Sequence, residues 1–180
     1  MLGVVFTEFV DMVEHTFSAD MVDDILDDCD LSSGGAYTAV GSYNHSEIVA
    51  LVVALSKRAD MPVDDLIFAF GKHLLTRFAA LYPAFFAAET DPFDFLISIE
   101  NHIHKEVLKL YPNAELPSVK AKRVDPSTLV LTYVSKRPFS TLARGLITGT
   151  FEHYGVDCDL SFEDLSTDDE NRVVFTIKLV

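Results

Sequence analysis

At Pro117 the residue pattern of this 180-residue chain changes period, and that change restricts the folds open to it. Upstream, apolar residues recur at spacings of three and four, which places them on one face of an α-helix. Downstream, Ser118 to Arg123, Thr128 to Ser135, Asp157 to Phe162 and Asn171 to Val180 carry β-branched and aromatic alternation with turn formers between them. One helix, from about Phe139 to Tyr154 and stopped by Gly155, interrupts these strands. Helices followed by a four-stranded antiparallel sheet with an inserted helix make an α+β fold.

The upstream helices are predicted over Val4 to Phe17, Asp20 to Asp28 and Ser46 to Lys57, with Leu31 to Tyr43 a loop around Ser-Ser-Gly-Gly. Pro62 sits in the first turn of the next helix, where its missing N–H is harmless. That helix carries Ile67, Phe68, Phe70, Leu74, Leu75, Phe78 and Leu81 as far as Pro83, and Pro92 opens another that ends near Tyr111. No repeat, low-complexity tract or linker divides the chain. The seam near Leu116 therefore reads as a join inside a single domain (residues 1–180) and not as a domain boundary, and the chain is expected to form two lobes that share a ligand, about 1–62 and about 63–180.

Composition narrows the functions. Apolar residues form 49% of the chain and charged residues 23%, a globular balance. A net charge of −14 repels phosphate backbones, so nucleic acid is not expected as a partner. No apolar run reaches the roughly 18–20 residues that span a bilayer, so no membrane is expected, and the first residues lack the basic lead of a secretory signal. Cys29 and Cys158 are too few for a disulfide framework, which favours a cytoplasmic setting. The acids of Asp20 to Asp30 fall opposite an apolar stripe of Met21, Val22, Ile25 and Leu26, either as a solvated face or as a docking patch for a basic surface. Asp157 to Glu170 lacks the spacing and central glycine of a calcium loop and reads as strand and turn.

The chemistry lies in two segments. A strand sends alternate side chains to one face, so Tyr133, Ser135 and Arg137 project together as a phenol, a hydroxyl and a guanidinium. Such a row suits the carboxylates of a flat ligand, because arginine offers a planar fork of donors. About thirty residues earlier, the helix from Pro92 to Tyr111 puts Phe93, Ile97, His104, Val107, Leu108 and Tyr111 on one arc, with Leu96 and Ile103 beside it. His102 falls about 160° away, toward water, on the same wheel. His104 is then either a hydrogen-bonded core histidine or a metal ligand. An inward imidazole with a donor row downstream suggests a haem site. Glu100 falls on the buried side with no evident reason.

Other sites are poorly supported. His15, His45, His73 and His153 are scattered singly; His153 and Cys158, five apart, leave a zinc pair open as a minor alternative. There is no dinucleotide fingerprint, phosphate loop or nucleophile elbow, and no catalytic triad can be argued from spacing. The chain is not expected to be an enzyme.

His104 in Ile-His-Lys-Glu-Val-Leu-Lys-Leu-Tyr-Pro, Pro117 in Ala-Glu-Leu-Pro, and Tyr133-x-Ser135-x-Arg137 resemble the haem–nitric oxide/oxygen binding (H-NOX) family. This family comprises bacterial relatives of the haem sensor region of soluble guanylate cyclase. The segments Gly-Val-Val-Phe-Thr-Glu-Phe-Val-Asp-Met-Val, Gly-Gly-Ala-Tyr-Thr and Ala-Phe-Gly-Lys-His are similar to family segments too, so the likeness covers nearly the whole chain.

The resemblance implies a bacterial stand-alone sensor with haem b (iron protoporphyrin IX) between a distal helical lobe and a proximal lobe. His104 is then the proximal ligand of ferrous iron, Tyr133, Ser135 and Arg137 hold the propionates, and Pro117 presses on the macrocycle, besides being a proline that starts a strand. Phe9, Leu74, Phe78, Leu142 and Leu146 are expected around the distal face, with Val5 nearby. Members that bind oxygen stably carry a tyrosine where Leu142 stands. An apolar distal face is therefore expected to take nitric oxide and carbon monoxide and to disfavour oxygen. Loss of the His104 bond on binding nitric oxide is expected to shift the lobes and signal to a separate protein, a histidine kinase or a cyclic-di-GMP enzyme. A haem enzyme with peroxide or oxygen chemistry, and a passive haem or gas carrier, are the rival readings.

Overall fold

The first helix is anchored at its start: Gly3 N–H donates to the Gly41 carbonyl at 2.8 Å, and Leu2 bridges Ser42. This computed structural model describes all 180 residues. Helix α1 is Gly3–Thr16, α2 Ala19–Asp27, α3 His45–Ala59 and α4 Val63–Leu81. Their starts are written in the sequence. The Ser18 hydroxyl accepts Met21 N–H at 3.1 Å, the Asn44 side chain accepts Ser46 N–H at 3.0 Å, and Pro62 stands at the N-cap of α4, just outside its first turn. Phe6, Phe9, Val13, Ile25, Leu51 and Leu55 are fully buried among these four helices.

Over residues 82–111 the structure departs from the expected elements in two places. Helix α4 stops before Pro83 as expected, but Pro83 then opens a short helix that was not expected, α5 (Pro83–Ala87), which buries Phe86. The segment from Pro92 is not one α-helix either. It runs as α6 (Pro92–Ser98), a π-helical turn (Ile99–Ile103) and α7 (His104–Leu110). Asp91 caps α6 by accepting Phe93 N–H at 2.7 Å and Asp94 N–H at 3.2 Å. The π turn closes on a bond from His104 N–H to the Ile99 carbonyl, five residues back. One extra residue in a turn rotates everything after it by about 100°. A uniform wheel therefore misplaces Leu108, which is 40% exposed instead of inward. His102 is exposed as expected.

Strands β1 (Ser118–Asp125), β2 (Thr128–Ser135), β3 (Cys158–Asp164) and β4 (Asn171–Leu179) form one antiparallel sheet in the order β1-β2-β4-β3. Helix α8 (Ser140–Tyr154) crosses from β2 to β3 and stops at Gly155, whose φ of 65° is left-handed. The period-two pattern of β2 and β4 turns Leu129, Leu131, Tyr133, Val173, Phe175 and Ile177 onto one buried face. That face packs with Ile147 and Phe151 of α8 and with Phe93, Phe95 and Leu96 of α6 to make a second core.

Helices α4 and α8 join the two cores where Gly71 meets Gly145. A Cβ on Gly145 would lie 2.3 Å from the Phe68 carbonyl oxygen, and one on Gly71 would lie 2.5 Å from that of Leu142. Only residues without a side chain let the two backbones approach this closely. Phe78 and Leu146 pack against both cores from these same helices. No helix is long and apolar enough to cross a membrane.

Candidate functional site: an apolar cleft with a guanidinium rim

His104 begins α7 directly after the π turn, with 17% of its side chain exposed. Burial lowers its pKa, against an opposing pull from Glu100, so the imidazole is neutral and keeps a lone pair for a metal. Nδ1 lies 3.5 Å from Glu100 Oε2. Glu100 faces polar partners on β1: its carboxylate accepts the Ser118 hydroxyl at 3.1 Å and Val119 N–H at 2.9 Å. This explains its half-buried, inward-facing position, which the sequence alone left without a reason. Pro117 is half-buried immediately before these two residues.

The phenol, hydroxyl and guanidinium do come together, although the strand geometry accounts for only two of them. Strand β2 ends at Ser135. Arg137 lies beyond it, and its own N–H donates to Ser135 Oγ at 3.0 Å, a local turn that keeps the side chain on the same side. Tyr133 is 4% exposed; burial raises its pKa, opposed by a hydrogen bond with Ser135 and by the charge of Arg137. The phenol therefore stays protonated as a donor at neutral pH. Arg137 is 15% exposed and pairs with the Glu115 carboxylate, while its Nη1 donates to the Glu115 carbonyl at 3.4 Å. The Met1 ammonium, which donates to the Tyr43 carbonyl at 2.8 Å, is close enough to feel the Arg137 charge.

Beside this rim runs a cleft whose ten lining residues are all apolar: Met1, Val5, Ile48, Val49, Val52, Val63, Ile67, Phe70, Phe139 and Leu142. Of the residues expected around a distal face, Leu142 and the neighbouring Val5 line it. Phe9 and Leu74, 0% and 2% exposed, lie behind it in the helical core, and Phe78 and Leu146 stand between the two cores. Ile67, Phe70 and Phe139 were not singled out from the sequence as lining residues. The available signal was the spacing of Ile67 and Phe70 from Leu74 on α4, seven and four residues.

No three His, Cys, Asp or Glu side chains converge to hold a bare metal ion. The ring of His153 instead meets Phe86 and Tyr154 edge-on, with centroids 5.0 Å away in both cases. A lone neutral imidazole, apolar walls and a guanidinium with two hydroxyls form the donor set of an iron porphyrin: one axial nitrogen, a surface for the macrocycle, and cationic and hydroxyl donors for its carboxylates. The residues fit that group.

Comparison with known proteins bears on the same point. A family model described as haem-NO-binding (HNOB) matches residues 2–162. The H-NOX protein of K. algicida, solved as Fe(II) unliganded, is 38% identical, with a TM-score of 0.92 over 100% of this chain and 97% of that one. The H-NOX of Shewanella woodyi, solved bound to IWP-051 in the Fe(II)CO state, is 39% identical, with a TM-score of 0.86 over 100% and 95%. An S. oneidensis H-NOX variant in the Fe(II) state is 26% identical, with a TM-score of 0.91 over 100% and 96%. No curated protein sequence matches. On the matched span and these identities, the chain belongs to the haem-NO-binding (H-NOX) family of haem-binding gas sensors.

Proposed function

We propose that this chain is a nitric oxide sensor built on haem b, acting in the cytoplasm on a separate signalling protein and turning over no substrate. When bound, haem supplies a ferrous iron able to take a diatomic gas. His104 would hold that iron through its neutral imidazole. Arg137, Tyr133 and Ser135 would hold the propionates, the guanidinium contributing most because its hydrogen bonds are charge-assisted. Pro117 would bear on the macrocycle at the start of β1. Phe9, Leu74, Phe78, Leu142 and Leu146 would close the distal side.

The observation that carries this reading is a cationic rim beside a cleft with no polar wall. Nitric oxide and carbon monoxide need no hydrogen-bond donor to stay bound, whereas oxygen draws charge from iron and does. The family description and the Fe(II)CO state of the 39%-identical relative support the same two ligands. A haem peroxidase wants polar acid–base groups on the distal side, and Leu142 and Val5 offer none.

Release of His104 would free α7, and the movement would pass to Pro117 and β1 and so change how the distal lobe (about 1–62) sits on the proximal lobe (about 63–180). A partner that discriminates the two states reads the signal. A histidine kinase or a cyclic-di-GMP enzyme is the partner class proposed. Helix α2 offers one contact surface, since Asp20, Asp23, Asp24, Asp27 and Asp28 are all exposed and only Arg58 pairs with any of them. The test is the absorption spectrum of the reduced protein under nitrogen, carbon monoxide, nitric oxide and air. Shifts on adding carbon monoxide and on adding nitric oxide, and none in air, support the reading. A stable complex in air, or steady consumption of peroxide, would overturn it.

A further inference from the structure

Glu100 has no part in the reading above, yet only 31% of its side chain is exposed and both its carboxylate oxygens have polar partners. One oxygen accepts the Ser118 hydroxyl at 3.1 Å. The other accepts Val119 N–H at 2.9 Å and lies 3.5 Å from His104 Nδ1. The carboxylate thus touches the imidazole from its own helix and the first two residues of β1 from the facing strand. Its position depends on the π turn, which spans residues 99–103 between α6 and α7.

A regular helix in the same molecule shows the ordinary arrangement. In α1, His15 Nδ1 lies 2.7 Å from the carbonyl of Asp11, four residues back. His104 has no such backbone partner; the group four residues back that faces its Nδ1 is a carboxylate. A carboxylate is a stronger acceptor than an amide carbonyl, and it fixes which ring nitrogen carries the proton.

We propose that Glu100 is the positioning residue of the metal ligand: its carboxylate accepts the Nδ1 proton of His104, directs Nε2 to the iron, and ties that imidazole to β1 beside Pro117. This rests on the reading of His104 as the haem ligand. An anionic acceptor on Nδ1 would make Nε2 a better donor and so strengthen the hold of His104 on a haem iron. The 3.5 Å separation exceeds a formed hydrogen bond, and the proposal requires it to close when Nε2 is held. The bonds to Ser118 and Val119 give movement of the ligand a second route into the sheet, parallel to Pro117.

The experiment uses the ferrous holoprotein and its iron–histidine stretching band in resonance Raman. Glu100→Gln should lower that frequency, raise the fraction of nitric oxide complex that has lost histidine, and weaken haem binding about 10–100-fold. Ser118→Ala, which removes one tie to β1 but leaves the acceptor, should keep the frequency. A Glu100→Gln protein with an intact iron–histidine band at the unaltered frequency overturns the proposal while leaving His104 as the ligand. Absence of that band from the unaltered protein would instead remove the underlying reading. A second measurement needs no variant: in the carbon monoxide complex, the Nδ1 proton of His104 should resonate far downfield and exchange slowly. A resonance at the position and exchange rate of a water-bonded imidazole counts equally against the proposal.

Discussion

Glu115 holds Arg137 from two sides, its carboxylate on one guanidinium nitrogen and its backbone carbonyl on another at 3.4 Å. The cation proposed to hold a propionate is thus already oriented by a carboxylate of the chain. Arg137→Ala removes charge-assisted bonds of about 1.5–3 kcal/mol and should speed haem transfer to an acceptor apoprotein about 10–100-fold. Ser135→Ala removes only a neutral hydroxyl and should be milder. Equal transfer rates for the two variants would refute the ranking.

Leu142 lines the apolar cleft from the first turn of α8. Leu142→Tyr places a donor at that wall and should produce an oxygen complex visible in the absorption spectrum in air. A variant spectrum identical to that of the unaltered protein would put Leu142 away from the gas.

Glu8 is 5% exposed on α1, and its charge is met by Arg77 of α4, Nε to Oε2 at 2.6 Å. Removing the cation strands a buried carboxylate. Arg77→Ala should therefore cost about 2–3 kcal/mol in urea unfolding, moderated because Arg77 itself is 40% exposed. Glu8→Gln in the same background should recover part of the loss. No recovery would mean that Arg77 acts through packing alone.

Glu47 is 5% exposed on α3, and its carboxylate accepts the hydroxyls of Ser32 at 2.6 Å, Ser33 at 2.5 Å and Tyr37 at 2.8 Å. Burial would raise its pKa, but the three donors outweigh burial and the carboxyl titrates below its ordinary range. Burial pushes the Tyr37 phenol up to about 12, so it remains a donor. A carboxyl depressed by folding adds stability above the unfolded value of about 4.3, and that stability disappears as pH falls through the lower folded value. Glu47→Gln should lower Tm at pH 6, with the gap closing toward pH 3. A gap independent of pH would show that Glu47 contributes shape and not charge.

The order of helices and strands was legible because long amphipathic stretches and alternating strands announce their own period. Helix α8 and its stop at Gly155 are an example. What stayed hidden depends on geometry that no single period carries. The π turn at 99–103 adds a residue mid-helix without a glycine or proline to mark it, so Leu108 was put on the wrong face and Glu100 had no evident purpose. Arg137 was grouped correctly for an incomplete reason, since a serine turn and not the strand keeps it near Tyr133. Glu8 was missed although it falls three residues after Val5 and four before Met12, on the apolar side of α1. A carboxylate there signals a buried partner, but that partner is 69 residues away. Glu115 and Met1 gain importance only when the cleft brings their segments to one rim.

The central claim concerns one imidazole, and His102 supplies its control two positions away on the exposed side. The decisive measurement is the absorption spectrum of reduced His104→Ala and His102→Ala proteins purified with ample haem. The account predicts that His104→Ala loses haem unless free imidazole is supplied, while His102→Ala keeps the unaltered spectrum. Two variants with the same spectrum, both retaining haem, would contradict it.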